Sequence, residues 1–454
     1  MSAAKESNFL RPFYFMVVVW GEQYRNYFLE FCLPSLLSPK NIPALGGRRP
    51  AKFLVATTAE DWQIICETAV FRELGKHADP AFIELPPKEE RPYWLHATIG
   101  QKMCCDVAAR DKVYRVFVCP DSVFSDGTIA RIHQVALEGA EAVLSLVTPL
   151  TKTSLFFKML AQMGLLSERS ARDTGIPIVL STAQVAALAM NAMHGLSRIN
   201  EWEAPYFCRY ASTPWWPVPG ESGGVMNGLF WNLLMVDYAA VQHDSSILDA
   251  RGFDGDYTMH TIGNLETIYF VRDSDELYVV SWAAIPEPPL RKHHGDFGKG
   301  IAFRVSAYSS AFNAFQRDTL FMPTFVHAGE HSNECHTVEQ KALRTLATWL
   351  DTPRDIERYS RALPPHLRNY AGLQAKIEAI PLPKWRSNTM AWAFVRNVIV
   401  PLTRLRVRTR IFFINSLNVW KRISLALRGD AASIERLRWH GRRVLAKTLG
   451  RPMT

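Results

Sequence analysis

The sequence predicts an α/β fold with a mostly parallel central sheet, and three observations carry that prediction. Short, mostly apolar runs at 13–19, 52–56, 81–85, 113–119 and 142–147 have strand length, and the unbroken run at 13–19 reads as a strand covered on both faces. Stretches with helical spacing separate them, so each crossover can return the chain to a parallel neighbour. A hydrophobic fraction of 48% over 454 residues supplies a large core.

The run at 13–19 follows Lys5 and Arg11 and has the outline of a signal h-region. It is too short to cross a bilayer and no small-residue cleavage site follows, so a buried first strand is expected. Over 24–37, Tyr27, Phe28, Phe31 and Cys32 fall near one face of a helix. A Pro/Gly/Arg loop at 41–50 leads to the second strand, which ends at Thr57-Thr58. Thr58 or Asp61 can cap a helix over 62–74. Pro80 and Pro86-Pro87 bound the third strand. A long helix over 93–110 repeats Ile99, Met103 and Val107, with Ala108 beside them. The fourth strand stops at Pro120, and Asp126-Gly127 opens the next helix. Beyond 150 the pattern loosens. A small-residue helix is expected over 184–196, then Trp215-Trp216, a glycine-rich loop at 220–228 and an apolar run at 229–236. Strand-like runs at 268–271 and 277–282 flank Asp273-Ser-Asp-Glu276, which reads as a hairpin turn. Helical patterns return at 306–315 and 338–349.

Charge is unevenly spread. From Pro381 onward there are 16 Lys+Arg and 2 Asp+Glu, so the rest of the chain has a net charge of −5 against +9 overall. A mildly acidic body therefore precedes a basic tail, and the overall charge is not that of a nucleic-acid-binding surface. The 7 cysteines include no Cys-x-x-Cys pair and most lie in apolar runs. They read as buried free thiols in a reducing, cytoplasmic setting, and structural zinc is not expected.

The stretch 113–127 concentrates the chemistry. In open α/β sheets, ligands bind beyond the carboxyl ends of strands, and there stand Asp121 and Asp126. Mg²⁺ or Mn²⁺ prefers hard oxygen ligands and often bridges a carboxylate to a diphosphate. Asp121 is expected in that role; Asp126 reads as a cap of the following helix. A second acidic element, Gly252-Phe-Asp254-Gly-Asp256-Tyr257, has Asp-x-Asp spacing. It is either a solvated turn or a carboxylate pair able to take a proton from a hydroxyl. His327 and His331 are four apart, but Gly329 argues for a loop. His194 reads as the end of a helix. Trp202, Trp215, Trp216, Trp231 and Trp282 suit either a core or a sugar-stacking face.

Four strand–helix steps and then a strand running into an acidic motif resemble the GT-A-fold glycosyltransferases. Gly100, Lys102 and Ala108-Ala109 precede the strand where that family has a glycine and a helix of small residues. The resemblance spans roughly residues 13–150. It implies a Rossmann-like GT-A fold and a nucleotide-sugar donor, with a divalent cation (Mn or Mg) on an Asp-x-Asp motif. Asp121-Ser122-Val123 lacks the second Asp, so strict metal dependence is not implied. On this resemblance Asp121 holds the metal and diphosphate, and His327 is a further metal position. Thr57, Lys102 and Trp216 face the nucleotide sugar, and Asp254 or Asp256 is the catalytic base.

The expected organisation is a nucleotide-sugar half (1–150), an acceptor half (151–300), a wrapping segment (301–384) and a basic helical extension (385–454). The activity expected is transfer of a sugar to a saccharide, lipid-linked or surface-polysaccharide acceptor. The tail, with Arg404, Arg406, Arg408 and Arg410 among apolar residues, suits an anionic membrane surface on the inner face; a solvated helical pair is the plainer reading. Two other functions fit less well. One is a non-catalytic membrane-associated binding protein. The other is a nucleotidyltransferase, which would need a glycine-rich, basic loop after the first strand, where Gly21-Glu-Gln-Tyr-Arg25 has one Gly.

Overall fold

β1 (Phe13–Val18) sets the architecture, because its side chains alternate between two cores. Tyr14, Met16 and Val18 pack on one face of the sheet, and Phe13, Phe15 and Val17 on the other. A strand with both faces covered needs helices on both sides. The computed structural model describes residues 11–46, 51–87, 93–146, 151–164, 170–207, 213–249, 257–262, 265–283, 286–287, 290, 319–329 and 332–350. All of these lie in the first of two units, Met1–Ala375; the second, Lys376–Thr454, is outside the described residues, as is the helix expected at 306–315.

After β1, α1 (Glu22–Tyr27) passes through a π turn (Phe28–Cys32) into α2 (Leu33–Leu36). Pro34 accounts for a local departure from α geometry, since it has no N–H for the carbonyl four residues back. β2 (Lys52–Thr57) leads to α3 (Ala59–Cys66) and α4 (Ala69–Leu74). One helix was expected here. Thr58 caps the first, and Thr68 caps the second by accepting the Phe71 N–H at 3.4 Å, so a new N-terminus interrupts the run. β3 (Asp79–Glu84), α5 (Tyr93–Asp111) and β4 (Tyr114–Val118) follow as expected. A Cβ on Gly100 would stand 2.8 Å from Leu85 and Val18 and 3.1 Å from Ala56. Glycine is therefore what lets α5 lie directly on the strand ends.

Next come β5 (Ser122–Phe124), α6 (Thr128–Leu137), β6 (Ala142–Leu146), β7 (Thr151–Lys152) and α7 (Thr153–Gln162). Three helices follow: α8 (Ala171–Thr174), α9 (Thr182–Asn191) and α10 (Gly195–Arg198). The later strands are β8 (Trp215–Pro217), β9 (Gly223–Met226), β10 (Trp231–Asp237), β11 (Ile268–Val271), β12 (Val279–Ala283) and β13 (Thr324–His327). A helix at Asn333–Leu350 ends the described chain.

The central sheet has seven strands in the order β11-β6-β10-β4-β1-β2-β3. All are parallel except β10, which runs antiparallel between β4 and β6. α5, α7 and α9 cover one face; α1 to α4 and α6 cover the other. The predicted α/β class with a mostly parallel sheet is thus what the chain adopts. Two three-stranded sheets, β5-β12-β7 and β13-β9-β8, complete the described strands.

Two expectations fail for the same reason, which is non-local pairing. β11 and β12 are not a hairpin: β11 pairs with β6, and β12 pairs with β5 and β7. The glycine-rich 220–228 is no open loop, because β9 pairs with both β8 and β13. There, a Cβ on Gly224 would stand 3.1 Å from the Trp215 ring, and one on Gly223 would stand 2.9 Å from the Val326 carbonyl. The described cysteines are free thiols, and Cys66 is exposed rather than buried; Cys208 is outside the described residues. No helix among the described residues is long and apolar enough to cross a membrane.

Candidate functional site

The parallel strands bring their carboxyl ends to one edge of the sheet, where the topology gathers the polar loops. Asp121 leaves β4 there. Its carbonyl accepts the Trp282 N–H at 3.3 Å, tying the loop to β12, and Ser122 and Ser281 hydroxyls bond across the same pair at 2.8 Å. No cation or side-chain donor pairs the Asp121 carboxylate among the described residues. Burial pushes its pKa up to about 6. Burial also raises the neighbouring Cys32 thiol, with Cys119 and then the Asp121 charge adding to it.

An aromatic wall stands beside this carboxylate. Trp282 is buried, with ring centroids 5.1 Å from Tyr27, 5.0 Å from Phe156 and 5.8 Å from Phe157. Phe31 stacks on Phe157 at 4.5 Å. Tyr27, Phe31 and Phe157 are only half-buried, so part of the wall meets solvent. The Trp282 indole N–H is buried without a hydrogen-bond partner among the described residues.

The other expected positions are spread out. Thr57 ends β2 at the same edge, fully buried, with no partner for its hydroxyl among the described residues. Lys102 is half-buried on α5, two residues after Gly100. Trp216 is 2% exposed in a separate cluster with Trp202, Phe207 and Phe325, under β8 and β9; its ring faces are taken by that core. Asp126 does not cap α6: its Oδ1 accepts the Lys40 N–H at 2.8 Å, and the N-cap position falls on Gly127. His194 starts a helix rather than ending one, its Nδ1 accepting the Leu196 N–H at 3.2 Å.

The segment Gly21-Glu-Gln-Tyr-Arg25 after β1 is not a loop but the start of α1, and its Arg25 forms an ion pair with Asp61, which also accepts the Gly21 N–H at 2.7 Å and the Thr58 hydroxyl at 3.1 Å. The Arg25 guanidinium is thereby held inside the fold.

His327 is not brought into one ligand set with Asp121. It ends β13 and faces the turn after β11, where Asp273 and Asp275 stand. Its Nε2 lies 3.1 Å from Asp273 and 3.9 Å from Asp275, and one ligand atom from each of the three lies within 4.8 Å of the others. This group could hold a metal ion. Asp273 raises the His327 pKa against the opposing effect of burial, and with the Gly329 carbonyl brings it to about 9. The sequence predicts only a turn at Asp273-Ser-Asp275. Its Asp-x-Asp spacing was there to be seen, but its histidine partner lies far down the chain.

Asp254 and Asp256 lie outside the described residues. The connection that carries them leaves β10 and enters β11 at the amino-terminal edge of the sheet. Tyr257, next in sequence, is buried there, bonded to the Tyr238 hydroxyl at 2.7 Å and to His243 at 2.9 Å. Tyr238 in turn accepts from the buried Arg115 at 3.1 Å.

No protein-family model matches the sequence, and no curated protein matches it. Among solved structures, one similar chain is described as a glucose-1-phosphate thymidylyltransferase from Bacillus anthracis, solved in complex with sucrose. The identity is 12% and the TM-score 0.22, over 31% of this chain and 59% of that one. The chain is therefore placed by its own architecture: an α/β fold whose mostly parallel sheet presents at its carboxyl edge a carboxylate, Asp121, that is unpaired among the described residues.

Proposed function

We propose that the protein is a glycosyltransferase that takes a sugar from a nucleotide-sugar donor and passes it to a saccharide or lipid-linked acceptor. Asp121 carries this reading. A half-buried carboxylate left without a cation among the described residues costs free energy, and such a group in a loop at a strand end points to a binding site. A single carboxylate fits Mg²⁺ or Mn²⁺, which commonly takes one or two protein carboxylates and fills its remaining positions with phosphate oxygens and water. Such an ion, when bound, supplies charge neutralisation for the leaving diphosphate.

The chain's own groups do the rest. Asp121 anchors the diphosphate end, and the Thr57 hydroxyl offers a buried polar contact at the same sheet edge. Lys102, midway along α5, adds positive charge on the donor side. Tyr27, Phe31 and Phe157 offer apolar ring surface for a sugar C–H face. The reading does not rest on Asp254 or Asp256, whose described neighbours are anchored at the opposite edge. A glycine-rich basic loop for a nucleotidyltransferase is not found after β1, where the chain enters α1 and Arg25 is engaged by Asp61.

The test is a panel of nucleotide sugars with Mn²⁺ or Mg²⁺, scored for donor hydrolysis and transfer. Turnover of one donor, lost in Asp121→Asn, is the expected result. Absence of binding and hydrolysis across the panel overturns the reading.

A further inference from the structure

The group Asp273, Asp275 and His327 carries an inference independent of Asp121. The strands that lead to them, β4 and β11, are separated by β10 and β6. Three strand spacings put them about 14 Å apart, so an ion on one group is not the ion on the other. The His327 ring is oriented for coordination. Its Nδ1 is bonded to the Gly329 carbonyl, which leaves Nε2 facing the two carboxylates, and a backbone carbonyl on the far nitrogen is the usual support of a metal-bound histidine.

Acidic groups often gather at strand ends without a ligand, so the cluster alone proves little. The second observation is a cavity that shares Asp273 and Ser274 as wall. Ser145, Tyr278 and Thr324 also line it, 7%, 4% and 5% exposed. Their three hydroxyls are buried with no hydrogen-bond partner among the described residues. Orphaned buried hydroxyls are costly, and natural folds supply them with a partner or an ordered water. The cavity admits the centre of a water-sized sphere over about 10 Å³, roughly room for one water. It is therefore too small for a sugar or a nucleotide and fits one water of an ion's hydration shell.

We propose that Asp273, Asp275 and His327 bind a divalent first-row transition-metal ion, with a coordinated water held by the hydroxyls of Ser145, Tyr278 and Thr324. One imidazole with two carboxylates suits Mn²⁺ or Zn²⁺ better than Ca²⁺, which takes six or more oxygens. The ion joins β11 of the central sheet to β13 of the small sheet. Those elements are already joined by the bridge Asp273–Phe325, by the Arg272 side chain donating to the Pro323 carbonyl at 3.1 Å, and by Ser274, whose hydroxyl accepts the His327 N–H at 3.1 Å and donates to the His327 carbonyl at 3.3 Å. Its role is to fasten the small sheet, and binding it stabilises the fold.

The experiment uses full-length protein stripped with EDTA and titrated with Mn²⁺, followed by electron paramagnetic resonance of the free ion, and with Zn²⁺ by calorimetry. Melting temperature is recorded with and without each metal. Asp275 is exposed, so Asp275→Asn leaves the folded core intact. Wild type and Asp121→Asn are expected to bind an ion and to melt higher with it. Asp275→Asn is expected to bind at least tenfold more weakly and to lose that rise, as is His327→Gln. The proposal is overturned if Asp275→Asn keeps full affinity, or if Asp121→Asn binds no ion and gains no stability from metal.

Discussion

At the amino-terminal edge of the central sheet, ionic and polar groups close on one another; at the carboxyl-terminal edge a carboxylate does not. Arg11 pairs with Asp237, and the Tyr14 hydroxyl donates to Asp111 at 3.0 Å. Arg115, Tyr238, Tyr257, His243 and Asp106 form a continuous chain of hydrogen bonds, ending at 2.8 Å between His243 and Asp106. At the other edge Asp121 has no partner cation, and the Thr57 and Ser145 hydroxyls have no partner, among the described residues; the buried Thr258 hydroxyl beside Tyr257 is likewise without one, so the contrast between the edges lies in the charges. Both edges belong to the same strands and draw on the same core. The difference teaches that an internal network stabilises the molecule whether or not anything binds, whereas unmet polarity stabilises it only once a ligand arrives.

The largest expected effect breaks the carboxyl edge. Asp121→Asn should lower donor turnover by roughly 10²–10³-fold, the usual cost of losing one group that offsets developing charge. The same substitution should stabilise the metal-free protein at pH 7. The Asp121 pKa of about 6 lies above the 3.8 of an unfolded aspartate, so the native state binds the extra proton. Stability from this group is therefore full below pH 3.8 and is lost as pH rises toward 6. Above that, the ionised carboxylate costs at most about 3 kcal/mol, less to the extent that solvent reaches it. Chemical denaturation of wild type and Asp121→Asn in EDTA, from pH 4 to 8, checks this. Equal stability of the two at every pH would remove the contrast between the edges.

Gly100→Val strikes the contact that sets α5 on the carboxyl ends of β1 and β2. Its added methyl groups meet Leu85, Val18 and Ala56 with no space to enter. About 1–3 kcal/mol of stability should be lost, and donor affinity with it if Lys102 faces the donor. At the amino edge, Tyr257→Phe removes a hydroxyl shared by Tyr238 and His243 and should cost about 1–2 kcal/mol. Turnover per folded molecule should not change. If Tyr257→Phe instead abolishes turnover in folded protein, then chemistry reaches the amino edge, and Asp254 and Asp256 return as candidates for the base.

Much of the sheet was legible because its strands are apolar runs buried on both faces, and β1, β2, β4 and β6 show that in the sequence. The position of Asp121 at a strand end followed from the same pattern. What was hidden depended on partners far apart in sequence. β11 finds β6, so the run around Asp273 could not be told from a hairpin. His327 meets Asp273 only because β13 returns beside the end of β11. Asp126 looked like a cap, but Gly127 takes the N-cap position, and the carboxylate turns to the Lys40 backbone instead. Glycines 223 and 224 read as a loop because the aromatic and backbone surfaces that crowd them come from other strands.

The smallest effect on chemistry should come from the basic extension. Residues 376–454 form a unit of their own, and the polar groups of both sheet edges lie in the other. Deleting 385–454 should leave turnover of a soluble donor and acceptor within about twofold while removing most of the 16 basic side chains that follow Pro381. Each basic residue near an anionic bilayer is worth about 1 kcal/mol, so sedimentation with phosphatidylserine vesicles should fall steeply on deletion and with added salt. Loss of turnover without loss of folding would mean that the extension completes the site itself. Retained turnover with lost vesicle binding would assign the chemistry to the sheet edge and the address to the tail.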